Sequence, residues 1–249
     1  MKTRPFFICL FFVALLLISC NLFTNPGIKL ITPSNVNISE NRDVSGFNAI
    51  EFSTLGKVNI IQGDQESLNI SGPDNLVPEI ITEVRNGTLI IRTKEDITIA
   101  PLRSENPLTF TIVVKDLTSL AVSGAGDVQV ETLSTPRMDI NLSGAGMVQQ
   151  NQITTDSLNI NLSGLGWIEI SGQTTQATID ISGAGNVNAP DLKIETASVT
   201  ISGVGNATVW VTDQLSGVIS GGGSVSYYGN PQTNTTTTGV GTFKPLGEK

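Results

Sequence analysis

The sequence predicts an all-β chain folded as a right-handed parallel β-helix, a β-solenoid with coils of about 18–20 residues. Three observations carry this. A Ser/Thr-Gly-x-Gly motif begins at Ser123, Ser143, Ser163, Ser182, Ser202, Ser220 and Thr238, at spacings of 20, 20, 19, 20, 18 and 18 residues, the signature of stacked repeats. Apolar and polar residues alternate on both sides of each motif, the period of a half-buried strand. Aligned on the serine, the copies agree column by column: Leu120, Ile140, Ile160, Ile179 and Val199 stand three residues before it, with Gly217 as the exception, and Val128, Val148, Ile168, Val187, Ala207, Val225 and Phe243 follow the second glycine. A repeat that cannot bury its apolar side alone buries it against the copies above and below, which is the logic of a solenoid. A β-sandwich also has short strands and frequent turns, but it gives no reason for the same residue types to recur at a fixed period.

The first twenty residues, MKTRPFFICLFFVALLLISC, read differently from the rest. Lys2 and Arg4 precede an uncharged apolar run from Phe6 to Ile18, shorter than the roughly 20 residues that cross a bilayer as a helix. This is the layout of a secretion signal. Its closing LISC resembles the bacterial lipobox, in which a cysteine is diacylated and becomes the mature N-terminus. Residues 1–19 are therefore expected to be a lipoprotein signal peptide, Cys20 the lipidated residue, and residues 20–39, with Pro26, Gly27 and Pro33, a tether. Ordinary secretion and an uncleaved anchor are the alternatives. Cleavage would remove Cys9 and leave no disulfide, so the mature domain must hold by burial and backbone pairing. More than one acyl chain on Cys20 would satisfy the two-signal requirement for stable anchoring.

Residues 40–249 read as a single β-helix domain. The part from 40 to 118 is less regular, with GFNAIEFSTLGKVNIIQGD, SLNISG and LTFTIVVKDL as strand-like stretches and Asn86-Gly87 as a tight-turn signal. It is expected to form the first, longer coils, continuous with the regular repeats of 119–243 and bringing the total to about nine or ten. The glycine corners are expected to supply backbone torsions that other residues adopt only at a cost. The Asn141–Asn161 column and the Ser/Thr column are expected to form side-chain ladders between coils.

Function classes can be narrowed by what is missing. The sequence has no histidine, which removes Ser-His-Asp and Cys-His nucleophiles and His-based zinc sites. Polysaccharide-cleaving β-helices need carboxylates, or carboxylates with a basic residue, converging from neighbouring coils. Here the acids of the repeat region, from Asp127 and Glu131 to Glu195 and Asp213, fall in different columns. No catalytic residue, cofactor or metal site is expected. After removal of the signal, 12 basic face 22 acidic side chains, a net charge of −10, which disfavours nucleic acid as a partner because phosphate contacts need a basic stripe, and none is expected.

The aromatic residues are the candidate binding groups. Trp167 and Trp210 point outward by strand parity, and Trp210 and Tyr228 occupy equivalent positions in consecutive copies, so their rings should stack. Flat exposed rings receive sugars and serve as partner hot spots. The competing reading is that Tyr227 and Tyr228 cover the C-terminal end of the core.

The opening Gly46-Phe47-x-x-Ile50, the NGTLII stretch, the serial SGAG corners and the late YYGNP from Tyr227 to Pro231 together resemble the bacterial head GIN domain family, described as auto-transporter adhesins. The resemblance runs from about residue 40 to 243. It implies an extracytoplasmic parallel β-helix and supplies no catalytic motif; no membrane β-barrel segment accompanies it. The expected function is that of a non-enzymatic lipoprotein of the bacterial cell envelope, lipid-anchored and extracytoplasmic. It would be held to the membrane through its N-terminal lipid and bind carbohydrate or a surface protein. A carbohydrate-active β-helix enzyme and an end-to-end assembling structural protein are the alternatives.

Overall fold

The computed structural model describes residues 28–102 and 106–249. They form an all-β body, without an α-helix among the described residues, in which parallel strands stack as a β-solenoid of about six turns. That is fewer than the nine or ten coils expected, because the first part of the chain is spent on closing one end of the stack. Cys20 and the signal segment lie outside the described residues.

Each regular turn has two sides. One is built from Ser119–Val122, Arg137–Leu142, the closing residues of Ala145–Leu162, Leu165–Ile181, Asn186–Ile201 and Val204–Ile219, and finally Gln232–Thr237. The other is built from Ala125–Ser134, the opening residues of the same long strands, Gly222–Tyr228 and Val240–Gly247. Because successive Cβ atoms alternate across a strand, the parallel register puts like over like. Leu120, Ile140, Ile160, Ile179 and Val199 form one buried column, and Val128, Val148, Ile168, Val187, Ala207 and Val225 another. The interior is thus a pile of branched aliphatic side chains, each touching its counterparts one level up and down.

The two sides meet at the Ser-Gly-x-Gly corner. Both Ser143 and Gly144 donate their N–H groups to the Val122 carbonyl, at 2.9 and 3.2 Å, and Ala145 donates to the Gly124 carbonyl at 3.2 Å. The same bonds recur at the following corners. The expectation about torsions fails here: none of the glycines in the seven motifs has φ in the left-handed range. Glycine is needed for a different reason. A Cβ added to Gly144 would overlap the Gly124 carbonyl oxygen and lie 2.6 Å from the Ser123 carbonyl carbon, and one added to Gly183 would lie 2.6 Å from the Ser163 carbonyl carbon. The corners nest backbone on backbone, and there is no room between levels for a side chain. The ladder along the Ser/Thr column is accordingly made by main-chain groups, while the Asn141–Asn161 ladder is a side-chain bond of 3.0 Å, as expected.

A second bend, eight residues before Ser143, Ser163 and Ser182, carries a device of its own. Thr135, Thr155 and Thr174 are buried there, and each hydroxyl donates to the carbonyl two residues on, at 3.2, 3.2 and 2.9 Å. These bonds satisfy buried polar groups at a point where the chain changes direction.

Residues 28–114 depart from the expected coils. Ala49–Ser53 and Leu55–Gln62 do extend the stack, pairing in parallel with Ser119–Val122 and Ala125–Ser134. Thr88–Thr93 and Thr109–Val114 add one further parallel level. Beyond them the pairing turns antiparallel: Ile80–Arg85 on Thr88–Thr93, Ser67–Pro73 on Thr109–Val114, and Asn37–Arg42 on Ser67–Pro73. Asn86 and Gly87 supply the Ile80/Thr88 hairpin turn with φ of 50° and 77°, the positive values a tight hairpin demands. Short hairpins can reverse the chain where parallel pairing would need another crossover, so this region closes the stack. Its outermost strands carry charge pairs, Glu40–Arg42 at 3.3 Å and Glu83–Arg85 at 2.7 Å, which discourage pairing with other chains. Phe52 and Phe110 meet edge to face with centroids 5.1 Å apart and fill the widened core behind this cap. Within the span 20–39 expected as a tether, Lys29–Ile31 pairs with Ile97–Ile99, Asn37–Arg42 belongs to the cap and Ile31 is buried, while residues 20–27 lie outside the described residues.

The opposite end closes with side chains. Gly217, the exception in its aliphatic column, lies beneath Phe243: a Cβ at Gly217 would come within 2.9 Å of that ring. Phe243 and Tyr227 pack against the core from the last turn, where Gln232–Thr237 offers only polar side chains.

Candidate functional site

The outward positions on the side that follows the corner form a flat parallel face. Immediately after the corner, Lys57, Asp127, Met147, Trp167, Asn186, Asn206 and Ser224 stand in one column, each in register with the next. Trp167 is 57% exposed, while its inward neighbour Ile168 is fully buried, as strand parity requires. The residues that follow it in the column are short. The step from an indole to Asn186 and Asn206 leaves a cleft of about 410 Å³, lined by Met147, Trp167, Glu169, Asn188 and Thr208 as well as the two asparagines.

The floor of this cleft is fixed by a hydrogen-bonded ladder. Asn186 Oδ1 accepts from the side-chain amide of Asn206 at 3.0 Å and from its backbone N–H at 3.1 Å, and Asn206 Oδ1 accepts from the Ser224 N–H at 3.1 Å. Stacked amides of this kind are held in place before any ligand arrives, which lowers the ordering cost of binding. Along the adjoining corner run the x residues of the motif, with Leu165 65% and Val204 69% exposed. Met147, Trp167, Leu165 and Val204 thus form an apolar border beside a polar cleft.

Trp210 and Tyr228 lie on the same face, farther from the corner and nearer the C-terminal turn. They are in direct register, as the sequence spacing predicts, and both are half-buried. Tyr227 is the inward member of the pair, in register with Val209 and Pro245, so the two tyrosines divide the roles that the sequence left open. Tyr227 covers the end of the core and Tyr228 faces out. The structure does not bring Trp167 together with Trp210 and Tyr228: they belong to separate columns.

The acids of the repeats are dispersed. Asp139 is held by Arg137 Nε at 2.9 Å and by Asn159 at 2.6 Å, and Glu131 accepts from Asn151 at 3.4 Å. Among the described residues no three of His, Cys, Asp and Glu gather closely enough to hold a metal ion. Glu169 is the one carboxylate that lines the Trp167 cleft. Sequence reasoning missed two features of this face. The Asn186–Asn206 ladder is visible as Gly-Asn at two successive corners, and the position of Lys249 has no local signal at all.

Residues 46–231 match the family described as putative auto-transporter adhesin, head GIN domain. Among solved structures, a putative adhesin from Bacteroides fragilis is 30% identical, with a TM-score of 0.83 over 87% of this chain and 100% of its own. A putative lipid binding protein from Parabacteroides distasonis shares the fold at 24% identity and a TM-score of 0.70, over 88% of this chain and all of its own. A putative adhesin from Parabacteroides merdae does so at 18% and 0.65, over 87% and 99%. No curated protein matches. The family and two of these three neighbours are called adhesins, the third a lipid binding protein, and an adhesin head is an extracellular or surface part. By the extent of the family match and the likeness to the Bacteroides fragilis protein, the chain belongs to the head GIN domain family of auto-transporter adhesins.

Proposed function

We propose that the chain is a non-enzymatic lipoprotein of the cell envelope, anchored through Cys20, whose rigid solenoid binds surface carbohydrate on the face that carries Trp167. The observation behind this reading is the cleft itself: an exposed indole beside a prearranged row of amides, with a single carboxylate. An aromatic face takes the apolar side of a sugar ring, and amides supply both donors and acceptors for its hydroxyls. Glycoside hydrolysis uses two carboxyl groups about the scissile bond, and Glu169 has no such companion in the cleft, so the arrangement favours holding over cleaving.

The test is a glycan-array screen with the lipid-free domain, followed by titration of the best ligand. Trp167→Ala should weaken that ligand at least tenfold without changing the fold. Binding unchanged in this variant would remove the cleft from the function. Anchoring is tested separately: Cys20→Ala should abolish membrane fractionation and labelling by a radioactive fatty acid, and label retained in the variant would overturn the lipid assignment. A second reading, contact with lipid, is favoured by the exposed Leu165 and Val204 along the corner and by the name of the Parabacteroides distasonis neighbour. Sedimentation with vesicles of neutral phospholipid would separate it from sugar binding.

A further inference from the structure

The Lys249 side chain is only 30% exposed. It returns over the outward face of the last turns, where its ammonium donates to an Asp191 carboxylate oxygen and to the Pro190 carbonyl and lies near two rings, with Nζ 5.5 Å from the Trp210 centroid and 5.4 Å from that of Tyr228. We propose that Trp210, Tyr228, Asp191 and the Pro190 carbonyl form a recognition cradle for a primary ammonium, that Lys249 occupies it in cis, and that a lysine side chain of a partner polypeptide takes it in trans. The inference is independent of the carbohydrate reading, since it uses none of the residues that line the Trp167 cleft.

The chemistry of the cradle matches that group closely. A lysine ammonium has three N–H donors and no acceptor. A carboxylate and a carbonyl receive two of them, and two aromatic faces take up the remaining charge through their quadrupoles. A quaternary ammonium would satisfy the rings but leave both oxygens without a donor. A guanidinium is planar and presents five donors in a fork, a poorer match to one carboxylate oxygen and one carbonyl flanked by two rings. The cradle therefore selects the primary ammonium on an unbranched chain.

The backbone pairing that carries the two rings does not involve Lys249. Trp210 and Tyr228 are fixed by parallel pairing at adjacent levels, and Asp191 and Pro190 come from the strand Asn186–Ile201 one level further down. The occupant, in contrast, is held at the edge of the fold. It follows Gly247, whose φ of +98° turns the chain after its last paired strand, and the Asp191 side chain is 71% exposed. A partner lysine can replace such an occupant without unfolding a strand. Occupied in cis, the cradle has an apparent affinity for a partner reduced by the fraction of time it stands open.

The experiment uses the indole Nε1–H resonances of Trp167 and Trp210, the two tryptophans of the sequence, assigned with Trp167→Phe. The probe is Nα-acetyl-lysine amide, with Nα-acetyl-norleucine amide as the neutral control and the Nε-trimethylated lysine probe as the quaternary one. In Lys249→Ala the lysine probe should move the Trp210 resonance saturably and leave Trp167 in place. The wild type should need about fivefold or more probe for the same shift, as for a cradle open less than about a fifth of the time. Adding Asp191→Asn to Lys249→Ala should abolish the response, and the trimethylated probe should bind more weakly than the lysine probe. The unmoved Trp167 resonance reports that each variant is folded. No saturable shift in Lys249→Ala, an equal shift with the norleucine probe, or equal affinity in wild type and Lys249→Ala would each overturn the proposal.

Discussion

From Arg137 onward the strands are placed by the copy about 20 positions before them, whereas between residues 28 and 114 the pairing mixes two parallel levels with antiparallel strands. In the repeats the corner glycines keep ordinary φ values and are required because the neighbouring corner lies against them. In the cap region Gly46 and Gly87 have φ of 75° and 77°, and a Cβ at Gly46 would meet nothing within 4 Å. One residue type thus serves two purposes in one chain. At the corners it removes volume, and at Gly46 and Gly87 it permits a torsion. The lesson is that a periodic glycine in a solenoid reports distance between levels, while an isolated glycine in a hairpin reports backbone conformation.

Substitution can break this contrast. Gly144→Val or Gly183→Val must push two main chains apart and should cost about 3 kcal/mol or more, the upper range of overpacking. Gly46→Asn should cost well under about 1 kcal/mol, since Asn tolerates the left-handed region. Chemical denaturation of the three variants checks this, and equal losses would erase the distinction. Phe243→Ala comes next. It uncovers Gly217 and the end of the aliphatic column, and should cost about 2–3 kcal/mol, the lower part of the range for large-to-small changes because the ring is only half-buried. The second bend contributes less. Thr155→Val or Thr174→Val keeps shape and removes one buried hydrogen bond, for a loss of about 1 kcal/mol each. The smallest effect is expected at Trp167→Ala, within about 0.5 kcal/mol as for an exposed position. A thermal melt that fell as far as that of Phe243→Ala would mean that the indole is part of the packing and not free for a ligand.

Much of the stack was legible because its rules are local and repeated. The inward columns, the outward direction of Trp167 and the register of Trp210 with Tyr228 all follow from parity and spacing. Asn86-Gly87 likewise announced its hairpin. The cap was harder to read, since antiparallel and parallel strands share the same alternation and nothing in Ser67–Pro73 or Asn37–Arg42 marks which direction a partner runs. The purpose of the corner glycines was hidden for a related reason: an interlevel contact has no trace in a single copy. The threonine bend was open to view, at a constant eight residues before Ser143, Ser163 and Ser182, but its polar side chain masked a buried position. Gly217 looked like a flaw in its column until Phe243, 26 residues later, was seen to fill the space. The cradle around Lys249 was beyond reach, because it joins Asp191 to a residue 58 positions away.

The nested corners also bear on how such a chain can change its length over evolutionary time. A corner recognises only the corner beneath it, and Gly144 lies on Gly124 just as Gly164 lies on Gly144. Duplicating or excising one whole copy in the gene therefore creates a junction with the same chemistry as the junctions already there. Height becomes a quantity that selection can adjust in steps of roughly 4.8 Å, the spacing of paired strands. Each added level also widens the outward face without altering the cap or the last turn, so the area offered to a surface can grow while both ends stay as they are.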